Sequence, residues 1–237
     1  EIGSGLVGSE MCIRDRYLKN NKNRGLIYTL NRGLSIAQCK YIARMDADDI
    51  CMSTRLEKQV AYLDSHPEVI ICGAQIEYFG TKSNKYVKLS FPTKDKILKE
   101  MLAFSTCFAH PTVMMRKDII VKNKLQYDYD YKNAEDYCMW INMISLGKFA
   151  NLDEALVKYR ISDAQVSQPY NLQTIKSVMA CRRKYLERYL SEDEIKDLFE
   201  SPIKVWTVKS IKQKISNPRV IEACLLYTSP SPRDRSL

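Results

Sequence analysis

Three carboxylates fall within four residues at Asp46-Ala47-Asp48-Asp49, directly after the compact β-type run Tyr41–Met45. Held that closely they repel one another, and a divalent cation relieves the repulsion. Asp46 and Asp48 stand two residues apart, so an extended chain would point both side chains the same way. Ligand sites in α/β sheets gather at the carboxyl ends of strands. Oxygen donors there suit Mg²⁺ or Mn²⁺, which would bridge the carboxylates to a diphosphate. The competing reading is an acidic turn that caps the following helix, with Asp49 as the capping residue.

A second pair, Glu135-Asp136, opens a segment with Trp140, Met143 and Ile144 at helical spacing. Acids in a first helical turn complement the helix dipole. In a partly apolar pocket, one of them would instead have its pKa raised toward working pH and act as a general base. His110-Pro111 precedes a short strand and either lines a site or supports the core. Tyr159-Arg160 ends a strand, where the guanidinium would reach a phosphate or remain in water. The alternation Tyr127/Tyr129/Tyr131 reads as a sugar-stacking edge or a half-exposed strand. Arg182-Arg183-Lys184 reads as a solvated helix face.

These residues need elements to carry them. Leu26, Leu30, Leu34 and Ala37 predict a helix over 20–38, broken at Gly33. Thr54 and Glu57 have capping-box spacing ahead of a helix with Leu56, Val60 and Leu63 on its buried face, ending before His66-Pro67. Glu68–Phe79 is apolar and β-branched, hence a strand. A polar, Lys-rich loop separates it from a helix at Lys94–Phe104 and a short strand at Thr112–Met115. Glu135–Leu146 is helical with Gly147 at its C-terminal cap. Phe149–Leu152 and Ala155–Tyr159 read as two short strands. From Asn171 the chain reads as two or three amphipathic helices, broken near Ser201-Pro202. Strands alternating with helices indicate an α/β domain with a helical appendage.

Composition narrows the function classes. The 237 residues are 45% apolar and 27% charged with a net charge of +9, which argues against wholesale disorder. No apolar run approaches the roughly 18 residues of a membrane span, and no secretory leader is visible. Eight Cys without a CxxC and only two His, His66 and His110, argue against a zinc ribbon or finger. Scattered cysteines suit reduced thiols and a cytoplasmic setting. A Mg²⁺-dependent nucleotidyltransferase would share the acidic cluster but needs a Gly-rich phosphate loop, which is missing. A basic RNA-binding module would explain the charge, but the basic residues are dispersed and no RNA-binding signature occurs.

The two ends stand apart. Glu1–Arg16 and Cys224–Leu237 show no usable periodicity and resemble peptides that arise when sequencing-adapter DNA is read as coding sequence. They are expected to be a non-native leader (1–16) and tail (224–237), and setting them aside leaves the net charge unchanged. The expected organisation of the remainder is a partial catalytic domain at 17–167 and a helical region at 168–223.

The stretches NKNRGLIYTLNRGLSIA, YIARMDADDI, RLEKQVAYLDSHPEV, FAHPTVMMRK, AEDYCMWINMISLGKFANLDEALVKYRIS and DAQVS, in that order, are similar to the family 2 glycosyltransferases over about residues 20–167. Those are inverting, nucleotide-sugar-dependent enzymes with the A-type, Rossmann-like fold. The resemblance implies that Asp46 and Asp48 occupy the DxD position and hold Mg²⁺ or Mn²⁺. It places the general base in Glu135-Asp136, with Asp136 favoured, and Asp46, Arg160 and His110 at the nucleotide-sugar donor. It also implies a glycan or lipid-linked acceptor and no nucleic-acid partner. The basic C-terminal helices could rest at the inner face of a membrane. Relatives often have His at the position of Ser162. They also begin with a strand–helix–strand segment that has no counterpart here, so the expectation is a domain lacking its first strands and inactive alone.

Overall fold

The computed structural model describes residues 17–80, 90–161, 172–199, 205–215 and 218. Helix α1 (Gly25–Ile36) runs unbroken through Gly33, where no neighbour crowds the backbone. Strand β1 (Tyr41–Ala43) leads into the acidic segment, and β2 (Ile50–Cys51) follows it. Helix α2 (Arg55–Ser65) precedes β3 (Val69–Phe79), then come α3 (Asp95–Met101), β4 (Met114–Arg116) and α4 (Lys117–Lys122). Helix α5 (Glu135–Met143) leads to β5 (Lys148–Arg160), and α6 (Leu172–Leu186), α7 (Glu192–Phe199) and α8 (Val205–Lys214) complete the described elements. The expected break near Ser201-Pro202 lies outside the described residues, as do both ends.

The sheet order is β1-β4-β3-β5-β2. β3 runs parallel to β5, while β1 with β4, β4 with β3 and β2 with β5 are antiparallel. Val69–Ile76 is buried throughout, as an apolar strand covered on both faces must be. β5 is one strand rather than two. The register steps from Ala74–Leu152 to Gln75–Ala155, so Asp153 and Glu154 bulge out of a continuing ladder. β2 and α4 are too short to show a sequence period. Gly147 is not a helix cap: α5 ends at Met143, and a Cβ at Gly147 would lie 2.3 Å from Ile70 Cγ2. The residue is small because β3 passes against it.

The main core lies where α5 meets the sheet. Trp140 is fully buried, with its ring edge-on to Phe108 at 5.5 Å, and Phe108 tilts against Phe149 at 5.6 Å. Cys181, Tyr185, Leu186, Ile195 and Ile211 of α6–α8 belong to the same core, so these helices pack into the domain. Glu194 ties α7 to α8 through Lys214 Nζ at 2.7 Å. The basic run of α6 is not one solvated face. Arg182 donates to Phe104 O at 2.6 Å and Lys184 lies over the Tyr131 ring, while Arg183 makes surface pairs with Glu187 and Glu192.

Helix α2 departs most from its expected pattern. Leu56 is exposed, and the buried residues are Arg55, Gln59 and Leu63. Thr54 makes no side-chain capping bond, because its backbone is already helical. Gln59 accepts from Arg55 Nε at 3.0 Å and donates to Cys72 O at 2.9 Å and Thr112 O at 2.8 Å. Arg55 Nη2 donates to Arg44 O at 2.8 Å. Helix and sheet are thus joined through polar groups that must be satisfied once buried. Gln59→Ala strips these partners at once and should cost about 2–4 kcal/mol of stability. Urea denaturation measures this, and a loss below about 1 kcal/mol would show that water replaces the amide.

Candidate active site

The first half of the site is the acidic turn between β1 and β2. Its chain is not extended: Asp49 N–H donates to Asp46 O at 3.4 Å, closing a turn. The premise that Asp46 and Asp48 point the same way along an extended strand therefore fails. Arg160, the last residue of β5, holds the turn. Its N–H donates to Asp49 Oδ1 at 2.9 Å and its Nε to Asp48 O at 2.8 Å, with the guanidinium over the Phe79 ring. Asp49 thus receives a strand end rather than capping a helix. Its other oxygen is buried without a partner among the described residues. Burial, with Asp46 and Asp48 beside it, raises its pKa, partly offset by the Arg160 amide.

Asp48 is exposed, and Asp46 is gripped by both terminal nitrogens of Arg44. No group of three or more metal-binding side chains occurs among the described residues. The donor set still suits a hard cation. Asp48 offers an open carboxylate, Asp46 a second once Arg44 yields it, and Asp49 an unpartnered oxygen nearby.

The second half lies at the start of α5. Glu135 is buried and Asp136 half-buried. Burial first, then the neighbouring Glu135 charge, push the Asp136 carboxyl up to about 6, against the opposing pull of the Tyr137 N–H and Arg44. His110 Nε2 and Tyr127 OH are 3.0 Å apart, and the imidazole sits edge-on to Trp140. Burial drives the His110 pKa well below its ordinary value, so the ring is neutral. Asn31 of α1 fixes Tyr127 by donating to its carbonyl and accepting from its N–H, each at 2.8 Å. The tyrosines form no alternating strand: Tyr127 is buried, and Tyr129–Tyr131 is a single 3₁₀ turn with Tyr129 exposed.

The fold thus gathers Asp46, Asp48 and Arg160 at one end and Glu135, Asp136 and His110 at the other. Arg44 follows β1 directly and grips Asp46. Its positive charge acts on Asp49 at one end and on Asp136, His110 and Tyr127 at the other. Sequence reasoning passed over Arg44, and only its place between an apolar run and three acids could have flagged it. Asn31, Arg55 and Gln59 gave no signal, being ordinary polar residues on helices. A cleft of about 410 Å³ beside Lys40 and Arg116 lies at the opposite end of β1.

An α/β sheet of this order, with an acidic turn after β1, has the A-type glycosyltransferase architecture. The crystal structure of Staphylococcus aureus TarS 1-349 in complex with UDP-GlcNAc matches 82% of this chain and 62% of its own at a TM-score of 0.53 and 16% identity, a likeness of fold. The family model "Glycosyl transferase family 2" matches residues 10–123. The O-antigen biosynthesis glycosyltransferase WbnJ of Escherichia coli is 35% identical over 188 residues, covering 73% of this chain and 69% of that protein. The amylovoran biosynthesis glycosyltransferase AmsE of Erwinia amylovora is 35% identical over 157 residues, covering 66% and 58%. An uncharacterized glycosyltransferase of Haemophilus influenzae is 33% identical over 192 residues, covering 78% and 59%. The chain belongs to glycosyltransferase family 2. It spans between 58% and 69% of the length of these relatives. No helix among the described residues is long and apolar enough to cross a membrane.

Asp136 links folding to pH. Its carboxyl moves from the ordinary 3.8 to about 6 in the fold. Between those values the folded chain binds the extra proton, so stability falls as pH rises through that window. Asp136→Asn should flatten the dependence and stabilise the fold at neutral pH by on the order of 1–2 kcal/mol. Urea melts from about pH 4 to about pH 8 check this. An unaltered slope would assign the proton to another group.

Proposed function

We propose that the chain carries the catalytic core of an inverting glycosyltransferase. It would move a sugar from a nucleotide-diphosphate donor to an acceptor hydroxyl in the synthesis of a cell-surface polysaccharide or lipid-linked glycan. The observation that carries this is the acidic turn after β1, held by Arg44 and by the end of β5, in a fold that also opens α5 with the Glu135-Asp136 pair. WbnJ and AmsE, named for O-antigen and amylovoran biosynthesis, support the substrate class. The UDP-GlcNAc of TarS 1-349 is in keeping with a nucleotide-sugar donor. Neither a nucleotidyltransferase nor an RNA-binding module draws support from these relatives.

In this reading Asp136 accepts the proton of the acceptor hydroxyl as that oxygen attacks the anomeric carbon. A pKa of about 6 leaves the carboxylate mostly ionised at pH 7, yet basic enough to take a proton. Attack and departure occur on opposite faces, so configuration inverts, and the leaving diphosphate needs no general acid. Glu135, buried at the helix start, orients Asp136 or the acceptor. Neutral His110 and Tyr127 wall the site beside Trp140. Asp48, with Asp46, would hold Mg²⁺ or Mn²⁺, which supplies charge neutralisation for the diphosphate. Arg160, already against the acidic turn, would offer its charge to the same diphosphate.

The proposal extends to the surroundings of the chain and to its activity by itself. The basic helices of the 168–223 region would meet an anionic membrane at its cytoplasmic face, near a lipid-linked acceptor. Among the described residues β1 pairs only with β4, which leaves its other edge open beside the donor end. We expect this chain by itself to bind donor weakly and to release no nucleotide above background. Calorimetry with Mn²⁺ and several nucleotide sugars tests that, and micromolar binding would overturn it.

Two substitutions test the chemistry in an active form of the enzyme. Asp136→Asn should lower turnover by about 10²–10⁴-fold with donor binding nearly unchanged. Normal transfer by Asp136→Asn, with loss in Glu135→Gln, would move the base to Glu135. Asp48→Ala should abolish metal-dependent transfer while leaving the circular-dichroism spectrum intact. Near-normal activity with Mg²⁺ or Mn²⁺ would remove Asp48 from the metal.

A further inference from the structure

Six cysteines lie among the described residues, and two of them meet where α6 packs on α5. Cys138 sits in the first half of α5 and Cys181 in α6, both fully buried. Several contacts fix their approach. Cys138 N–H donates to Ala134 O at 3.0 Å, and the Cys181 thiol donates to the same carbonyl at 3.7 Å. Three residues after Cys181, on the same face of α6, Lys184 Nζ donates to Cys138 Sγ at 3.6 Å. Asn142 Nδ2, one turn along α5, approaches that sulfur to 3.9 Å. Helix α6 is pinned on both sides of Cys181 as well. Asn133 Nδ2 donates to Thr174 Oγ1 at 3.1 Å, and Arg182 Nη2 donates to Phe104 O at 2.6 Å.

We propose that Cys138 and Cys181 are a site of reversible oxidation: a hydroperoxide converts the pair to an intrachain disulfide that clamps α6 to α5, with Cys138 the attacking sulfur and Cys181 the resolving one. This goes beyond sugar transfer and does not depend on it. The roles follow from the surroundings. Cys138 receives donors from Lys184 and Asn142, which favour a thiolate, whereas Cys181 faces a carbonyl, which favours the thiol. The hydrogen bond from Cys181, then the Lys184 charge, hold Cys138 below the ordinary thiol range against the opposing effect of burial, and the same bond together with burial pushes Cys181 up. Cys72 and Cys107 are equally buried, but burial alone dominates there and raises both. In the first step the Cys138 thiolate attacks one peroxide oxygen. An S–O bond forms, the O–O bond breaks, and the departing hydroxide takes up the proton that Cys138 gave up. The Cys181 sulfur then attacks the Cys138 sulfur, the S–O bond breaks, and the second hydroxide leaves with the Cys181 proton. Two thiols are oxidised by two electrons in all, and one peroxide is reduced to two waters. Burial of both sulfurs keeps out bulky disulfides and leaves a small hydroperoxide as the oxidant. A small dithiol reverses the bond by exchange.

The test uses the 237-residue chain, reduced and then exposed to hydrogen peroxide. Its non-reduced digest should contain one dominant crosslink, Cys138–Cys181, which dithiothreitol removes. In concentrated urea that selectivity should vanish. Cys181→Ser leaves the attacking sulfur without its resolving partner, so a 1,3-dione probe should label Cys138 as the sulfenic acid while Cys72 and Cys107 stay unlabelled. Lys184→Met should slow crosslinking about tenfold. Lys184→Arg keeps the charge and should stay within about threefold of the native rate even where Met fails to fold. Crosslinks dominated by the exposed Cys39 or Cys51, or equal yields of Cys138–Cys181 in buffer and in urea, would overturn the pairing. Labelling of Cys72 or Cys107 as fast as Cys138 would overturn its assignment as the attacking sulfur, and a native rate in Lys184→Met would overturn the role of the lysine.

Discussion

The architecture around the site depends on one buried guanidinium. Arg55 is 1% exposed and has no carboxylate within bonding distance among the described residues. Burial lowers its pKa, yet an arginine stays charged, so the protein must surround it with oxygen. It does so with the Gln59 side chain and the carbonyls of Arg44 and Val113. Those carbonyls belong to the chain leaving β1 and to the chain entering β4. Satisfying one charge thereby fixes where the acidic turn begins and where β4 starts.

From that anchor the electrostatics run outward in alternating sign. Arg55 holds the main chain of Arg44, Arg44 grips Asp46, and Arg160 closes on the turn from the far end of β5. Acids that would repel one another are kept compact by two arginines from different elements. Asp136 is different: among the described residues no guanidinium grips it, and burial beside Glu135 raises its pKa. In the proposed reaction that contrast would separate ligand-holding carboxylates from a proton acceptor, and it arises from local surroundings, not from residue type.

The broad order of the elements was legible because hydrophobic runs and breakers are local signals. Glu68–Phe79 and Glu135–Leu146 could be read from apolar spacing, and both elements stand within a few residues of expectation. The buried face of α2 was not legible, because Arg55 and Gln59 pass for solvated polar residues unless the carbonyls awaiting them are known. The β5 bulge was hidden for a related reason: Asp153-Glu154 interrupts the sequence pattern but not the ladder. Candidate residues could be named from chemistry and family likeness. Their pairings could not, since Arg44 on Asp46 and Arg160 on the turn are tertiary choices.

The bonds that assemble the site join distant parts of the chain. Asp48 and Arg160 are 112 residues apart, Asn31 and Tyr127 are 96, and Gln59 and Thr112 are 53. Closing such loops costs entropy before any bond repays it, so contacts of this span form late. The β3–β5 ladder, itself a long-range pairing from Val69–Lys148 to Phe79–Arg160, has to be in place before Arg160 reaches the turn. Helices α1 and α2 can form early, yet the acidic turn and Tyr127 acquire their final geometry only near the end of folding. By the same reasoning they belong to the parts that open first in local fluctuations, and amide exchange there should outpace the ladder that carries them.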